Sequence, residues 1–578
     1  MIARRNFLVA GVAAALTPWL PGWAQPISAG LPTMSGEDIR LRIAEQHMTI
    51  DGRHMHAIGI NGTVPGPLIR LREGQRARIH VENALNEDSS IHWHGLLLPF
   101  DMDGVPGISF PGIAPGGTFN YDFPVRQAGT YWYHSHSGLQ EQLGHYGPIV
   151  IDPAGADPVA YDREHVVVLS DHSPLHPHAI FRKLKQQGGY FNRNRQTLAG
   201  LLAGRDQRLG ERVDWGRMRM DPTDVADVTA KTYTYLVNGH GPADNWTGLF
   251  QAGERIRLRI INASAMTTFN VRIPGLRMTV VQADGLDVRP VAVSEFQIGV
   301  AETYDVLVTP EDRAYTLVGE SVDRSGMARA TLAPRAGMVA EVPPLRPRTL
   351  ATMQDMGMGM GAGMGMDHAG HGATPACPPA HAAMGHCQAD APAEPMQHAM
   401  RDLSLAPGVA DTPTVQTIRP MPSDRMGDPG QGLAGIPDVL TYRDLMARTR
   451  NPDVRAPSRT LDLHLTGNMD RYMWSFDGTK MSDHMDPLPF RLGERVRVRL
   501  INDTMMGHPI HLHGHYFELV TGHGDHAPRK HTVMVQPGGI LAFDLTADNP
   551  GDWAFHCHLL FHMEAGMMRV VSVRPEAA

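Results

Sequence analysis

Three stretches of the chain share one alternation of charged and apolar positions. Gly74-Gln75-Arg76-Ala77-Arg78-Ile79-His80-Val81-Glu82-Asn83 is matched by Gly253-Glu254-Arg255-Ile256-Arg257-Leu258-Arg259-Ile260-Ile261-Asn262 and by Gly493-Glu494-Arg495-Val496-Arg497-Val498-Arg499-Leu500-Ile501-Asn502. Each reads as a turn followed by a strand of period two, with Arg facing water and Ile, Val or Leu facing inward, as in a half-buried antiparallel sandwich. A unit that recurs three times predicts an all-β protein of three β-sandwich domains, over residues 38–155, 160–345 and 436–578, with an insert and linker over 346–435.

The segments downstream of the repeats align as well. Nine residues after the closing Asn, the first copy reaches His92 in Ile91-His92-Trp93-His94-Gly95 and the third reaches His511 in Ile510-His511-Leu512-His513-Gly514. The second copy has Val271 and Ile273 there, so it fills the same places with core side chains. The late strands repeat too: Gly129-Thr130-Tyr131-Trp132-Tyr133-His134-Ser135-His136 parallels Gly551-Asp552-Trp553-Ala554-Phe555-His556-Cys557-His558. A His-x-His pair on a strand sends both imidazoles to one side, about 7 Å apart at a rise of roughly 3.4 Å per residue. Four such pairs brought together across a domain 1–domain 3 interface make eight converging imidazoles, enough for a three-metal cluster able to pass several electrons to one dioxygen.

Alternation sends Cys557 to the face opposite His556 and His558, so one strand serves two centres back to back. A Cys thiolate, two His nitrogens and a weak axial Met form the ligand set of an electron-transfer copper, here Cys557, His562 and Met567 with His508 completing it. In the register of domain 1, Ser135 replaces Cys557, Ser89 replaces His508 and Gln140 replaces His562, so that domain keeps the paired histidines and loses the thiolate site. His145 falls near the register of Met567 and reads as structural.

Composition narrows the classes. With 578 residues, 42% apolar and 19% charged, the chain is ordinary for a globular protein. Its net charge of -8 becomes -10 when Arg4 and Arg5 leave with a cleaved leader, which disfavours nucleic acid as a partner. Residues 1–24, with Arg4-Arg5-Asn6-Phe7-Leu8, an apolar stretch from Phe7 to Leu20 and a small-residue exit at Ala24, read as an export signal resembling the twin-arginine type. That places the mature protein in the periplasm, and no later apolar run is long enough to span a bilayer. The three cysteines exclude a disulfide scaffold: Cys557 must stay reduced to bind metal, whereas Cys377 and Cys387 either pair with each other or hold soft metal ions.

The second and third repeats lie 240 residues apart and the first and second 179, so about 60 extra residues separate domains 2 and 3. From Met353 to Met400, 48 residues contain nine Met, five His and two Cys and no Lys or Arg, without a periodic apolar face. This reads as a disordered Met-rich insert whose thioethers and imidazoles suit Cu(I). His47-Met48 and His54-Met55-His56 read as solvated loops, and Asp483-His484-Met485 is a weaker place to hold a substrate ion.

These four motifs resemble those of the multicopper oxidases, and the whole mature chain resembles their three-domain cupredoxin form, within it the periplasmic copper-resistance oxidases. The resemblance implies Greek-key cupredoxin domains and four copper ions: type 1 on His508, Cys557 and His562 with Met567 axial, type 2 on His92 and His511, and a type 3 pair on His94, His134, His136, His513, His556 and His558. It implies four one-electron oxidations, transfer along Cys557 to His556 and His558, and reduction of dioxygen to water. It also implies acids near the cluster that supply protons. Asp103 is one; Met563 holds the place expected for the second, and Glu564 comes directly after it. An axial Met gives a modest potential and favours easily oxidised donors. The expected activity is oxidation of Cu(I) to Cu(II) in copper tolerance, by a monomer with periplasmic copper-binding proteins as possible partners. A laccase-type phenol oxidase and a copper-sequestering protein are the alternatives.

Overall fold

The structure, a computed structural model, describes residues 30–358, 400–483 and 486–575. The leader, residues 359–399 of the insert with Cys377 and Cys387, and His484-Met485 lie outside the described residues.

Among the described residues the strands form six sheets, two around each copy of the repeat. The repeat strand takes the same neighbours each time. Arg76–Asn83 lies parallel to Asp38–Ile50 and antiparallel to Thr118–Pro124. Ile256–Asn262 lies parallel to Arg163–His172 and antiparallel to Thr303–Val308. Arg495–Asn502 lies parallel to Arg459–Asn468 and antiparallel to Gly539–Thr546. The expected antiparallel sandwich therefore carries a parallel pairing at each repeat strand, with others in the partner sheets, as when strands cross between sheets.

The Asn that closes each repeat has a structural reason. Asn83, Asn262 and Asn502 are fully buried. Their side-chain oxygens accept the N–H two residues on, at Leu85, Ser264 and Thr504. Their amides donate to the carbonyls of Ile113, Ile298 and Val535. An Asn here turns the chain and ties it to the neighbouring strand, fixing the distance to the next His pair.

The expectation that alternate Arg residues face water holds for the strand Arg76–Asn83, whose burial alternates, and fails for the second copy. Arg257 and Arg259 are buried, because this face of domain 2 packs on domain 1. Both pair with Asp305; Arg257 also meets Asp157 and Arg259 meets Glu164, which in turn pairs with Arg70 of domain 1. Burial opposes the charge of Glu164, but Arg259 and Arg70 outweigh it and hold the carboxyl at about 2, below its ordinary 4.5. A depressed carboxyl contributes stability that is complete above about pH 4.5 and lost as pH falls through about 2. Glu164→Gln should therefore cost about 2–3 kcal/mol at neutral pH. The gap in calorimetric melting from the parent should narrow steadily between pH 4.5 and 2.

Helices not anticipated from the sequence lie between Arg163–His172 and Thr234–Val237: Pro177–Gln186, Leu198–Leu202 and Leu209–Arg217. The first begins with Pro177, for which a missing N–H costs nothing at that position, and buries Ile180 and Leu184. Its Phe181 stacks on Phe561 of domain 3 at 5.9 Å, so the excursion reaches the thiolate end of the molecule. None of the helices among the described residues is long and apolar enough to cross a membrane.

Candidate copper centres

The strand Gly551–Cys557 lies between His508–Leu512 and Met568–Arg574, setting Ile510 opposite Cys557 and His511 opposite His556. This register puts the thiol on one face with His508, and His556 on the other with His511. Cys557 Sγ lies 3.5 Å from His508 Nδ1 and 3.9 Å from His562 Nδ1, and those two nitrogens are 3.2 Å apart. Met567 is fully buried, and its carbonyl accepts the Cys557 N–H at 3.1 Å. The outer nitrogens are held: His508 Nε2 meets Thr504 Oγ1 at 2.7 Å, and His562 Nε2 meets Asp227 Oδ2 at 2.8 Å. Tyr472 donates to the same Asp227 oxygen at 2.6 Å. Burial pushes the Cys557 thiol up and both imidazoles well down, so both rings are neutral and the thiol ionises only when a cation takes its proton's place.

On the opposite face eight imidazoles from domains 1 and 3 converge. His92 stacks on His513 and His94 on His511, with ring centroids 3.9 and 3.8 Å apart. Their ligand atoms group as His94, His134 and His558; as His136, His513 and His556; and as His92 and His511, with His94 beside them. The Nδ1 atoms of His92, His134, His511 and His556 donate to the carbonyls of Asp103, Ser135, His531 and Cys557 at 2.7–3.0 Å. A carbonyl only accepts, so each of these rings carries its proton on Nδ1 and presents a bare Nε2. His94 is reversed: Nε2 meets Thr532 Oγ1 at 3.1 Å, which leaves Nδ1 inward.

These inward nitrogens test whether the site fits metal. The Nε2 atoms of His92, His134, His511 and His558 and Nδ1 of His94 are buried without a hydrogen-bond partner. The Nε2 atoms of His136 and His513 face that of His556 at 3.4 and 3.1 Å. Burial, then the neighbouring rings, drive His94, His134, His136, His511, His513 and His558 well below the ordinary His range, and burial brings His556 to about 4. Neutral, donorless nitrogens converging in a water-poor cavity repel one another unless cations lie between them, so the donor set fits metal.

Asp103 ties the two domains to this cavity: its carbonyl holds His92, and its Oδ2 accepts from His513 Nδ1 at 2.9 Å. The next residue, Gly104, has φ +83°, and a Cβ there would lie 1.9 Å from the Ile91 carbonyl, so only glycine lets the chain turn this closely. Glu564 does not reach the cluster. It ends the short helix Leu560–Glu564 with its side chain toward solvent, because Met563 and the helical turn carry it away from the cavity. The acid that does sit there was missed: buried Glu141, whose Oε2 is 2.9 Å from His134 Nδ1. It occupies domain 1's place for Met563, the residue after Gln140, which was the available signal. Also missed were Asp227, Thr504, Thr532 and Asp284. The last, in domain 2, accepts the N–H of His531 and Thr532 and pairs with buried Lys530, so the domain without His pairs braces the strand that holds His94.

In domain 1 the substituted positions satisfy one another. Ser89 and Ser135 both donate to Gln140 Oε1, at 2.8 and 2.9 Å. His145 stands fully buried in the Met567 register with neither ring nitrogen partnered.

The chain matches multicopper oxidase family models over residues 42–156, 214–336 and 454–577. It is 49% identical to a copper resistance protein A homolog of Pseudomonas syringae pv. tomato and 49% identical to copper resistance protein A of Escherichia coli, over 99% of both chains in each case. The chain belongs to the multicopper oxidase family. Among solved structures, the metallo-oxidase of Campylobacter jejuni superposes with a TM-score of 0.59 at 19% identity, over 95% of each chain, a likeness of fold. As a multicopper oxidase, the protein is an oxidoreductase with one type 1, one type 2 and two type 3 coppers, reducing dioxygen with electrons from a reducing substrate, and the two histidine-lined centres fit those ions.

Proposed function

We propose that this multicopper oxidase is exported to the periplasm, loses its leader near Ala24, acts as a monomer, and oxidises Cu(I) to Cu(II) in copper tolerance, with periplasmic copper-binding proteins as its partners. One observation carries the reading: a single strand joins a buried thiolate site to an eight-imidazole cavity. Two close relatives bearing the name copper resistance protein A support the choice of substrate.

His508, Cys557, His562 and Met567 would hold type 1; His92 and His511, type 2; His94, His134, His136, His513, His556 and His558, the type 3 pair. When bound, the coppers supply one-electron acceptance at the thiolate and reduction of dioxygen to water at the cluster. The chain supplies the rest. Cys557 lies covalently between His556 and His558, and its carbonyl accepts from His556 Nδ1 at 3.0 Å, so electrons have both a bonded and a hydrogen-bonded path of a few atoms. Asp227 and Thr504 hold the outer nitrogens of the type 1 histidines, keeping both Nδ1 atoms inward. Asp103 carries protons toward the cluster from Oδ1, which is buried and free of other hydrogen bonds.

The test is steady-state oxygen consumption with Cu(I) against that with a dimethoxyphenol, with and without added Cu(II). Cu(I) should give the higher kcat/KM. Turnover of the phenol alone would assign a laccase, and copper tolerance without oxygen uptake would assign sequestration.

A further inference from the structure

The helical excursion of domain 2 carries an apolar patch set in a basic surround. Leu198–Leu202 and Leu209–Arg217 form a small helical hairpin. Thr197 caps the first helix by accepting the Gly200 N–H at 2.9 Å, and Glu211 caps the second by accepting the Arg208 N–H at 2.8 Å. The Gln196 amide donates to the Gln207 side chain, the Gln207 N–H donates back to Gln196, and Arg212 donates to the Thr197 carbonyl at 3.2 Å, so the two helices are clamped side by side. Arg348 holds Asp206 in the turn between them, and buried Trp215 anchors the second helix in an apolar cluster with Met356 and Met505.

What this anchored hairpin turns outward is apolar. Leu198 and Leu202 share one face of the first helix and Leu209 and Val213 one face of the second, each pair four residues apart. They are 69, 81, 66 and 44% exposed. Val213 and Trp215 lie about 200° apart around the helix, so the face that packs inward through Trp215 is opposite the one that carries Leu209 and Val213. Single exposed leucines are ordinary, but two such pairs on adjoining helices make a contiguous patch.

The charge around the patch is opposite in sign to that of the chain. Residues 182–219 hold ten Lys or Arg against three Asp or Glu, which is +7 within a chain of net -8. Nine of the ten are exposed, and Arg205, Arg208 and Arg219 make no ion pair among the described residues. A second copy docked face to face would set these like charges against one another. An anionic bilayer matches both features: Arg stems lie along apolar surface while their heads meet lipid phosphates, and leucines enter the boundary between headgroups and acyl chains.

We propose that this hairpin docks the protein on an anionic lipid surface, with Leu198, Leu202, Leu209 and Val213 entering the boundary and the surrounding arginines meeting lipid phosphates. None of these residues belongs to either group of copper-ligating side chains, so docking leaves the oxidase machinery intact and holds whichever donor reduces it.

The copper-loaded enzyme, without residues 1–24 so that the leader cannot bind lipid, is mixed with vesicles of phosphatidylcholine alone and of an equal mixture of phosphatidylcholine and phosphatidylglycerol. Bound protein is read by co-sedimentation for the parent, for Arg205→Glu/Arg208→Glu and for Leu202→Gln/Leu209→Gln, with blue absorption as the control for folding. The parent should bind the mixed vesicles at least tenfold more tightly than the neutral ones and release them as salt is raised, and each blue variant should lose about tenfold or more of that affinity. Failure of the parent to bind, equal affinity for the two vesicle types, or a blue variant of either kind that binds like the parent overturns the proposal. A parent that ignores vesicles but self-associates, or binds an acidic polypeptide, through the same residues also overturns it and assigns the patch to a protein partner.

Discussion

Serine in place of Cys557 should leave a colourless enzyme whose oxygen uptake falls by about 10³-fold or more, the scale expected when the group that carries a step is removed rather than one that orients it. The chain contains its own precedent. At the equivalent position of domain 1, Ser135 donates to Gln140, which also receives Ser89, and the three groups satisfy one another. In the variant the hydroxyl would donate to a neighbouring imidazole nitrogen, turning a metal-ligand set into a closed hydrogen-bond network with no thiolate to accept an electron. His556 and His558 face the other way on the strand, so the remaining coppers should stay bound, as metal analysis and electron paramagnetic resonance would report. Oxygen uptake within tenfold of the parent would show that electrons enter elsewhere.

Asp103→Ala should reduce steady-state oxygen uptake by about 10- to 100-fold, the usual cost of losing a carboxylate that orients a ligating His. The signature is more specific than the magnitude. The thiolate centre gathers Cys557, His508 and His562, none of which Asp103 touches, so the variant should remain blue and bleach with substrate at the parent rate in a stopped-flow mixing. Recovery of the colour on adding dioxygen should be slow, because the lost side chain held His513 and kept Oδ1 buried without a hydrogen-bond partner, 3.4 Å from His92 Nδ1. The backbone carbonyl still holds His92, which keeps the loss below that of a deleted ligand. Parent-like reoxidation would remove Asp103 from proton delivery.

Side chains that repeat in register were legible without coordinates. The offset from Asn83 to His92 equals that from Asn502 to His511, and the buried Asn explains it by pinning the turn that precedes the histidines. Cys557 against His556 and His558 was likewise readable, since opposite faces follow from the pleat alone. The Arg alternation misled at Arg257 and Arg259 because period two reports which face a residue takes, and says nothing about whether a second domain covers that face. Glu564 misled for a related reason: standing one residue beyond the family's acid position says nothing about direction, and at the end of the helix Leu560–Glu564 its side chain is exposed.

The linear order of residues thus specified the three sandwiches, the matched histidine doublets and the thiolate between two of them, because strand period and turn chemistry are local and each copy could be checked against the others. It left open how domain 2 packs against the other two and what stands behind each ligand. Thr532 on His94, Asp227 on His562 and the Asp284–Lys530 brace from domain 2 are contacts that the chain makes only once folded, between residues hundreds of positions apart. Nothing in their neighbouring sequence marks them. Their contacts exist because three separately folded units bury surface against one another, and that packing orients each imidazole toward its metal.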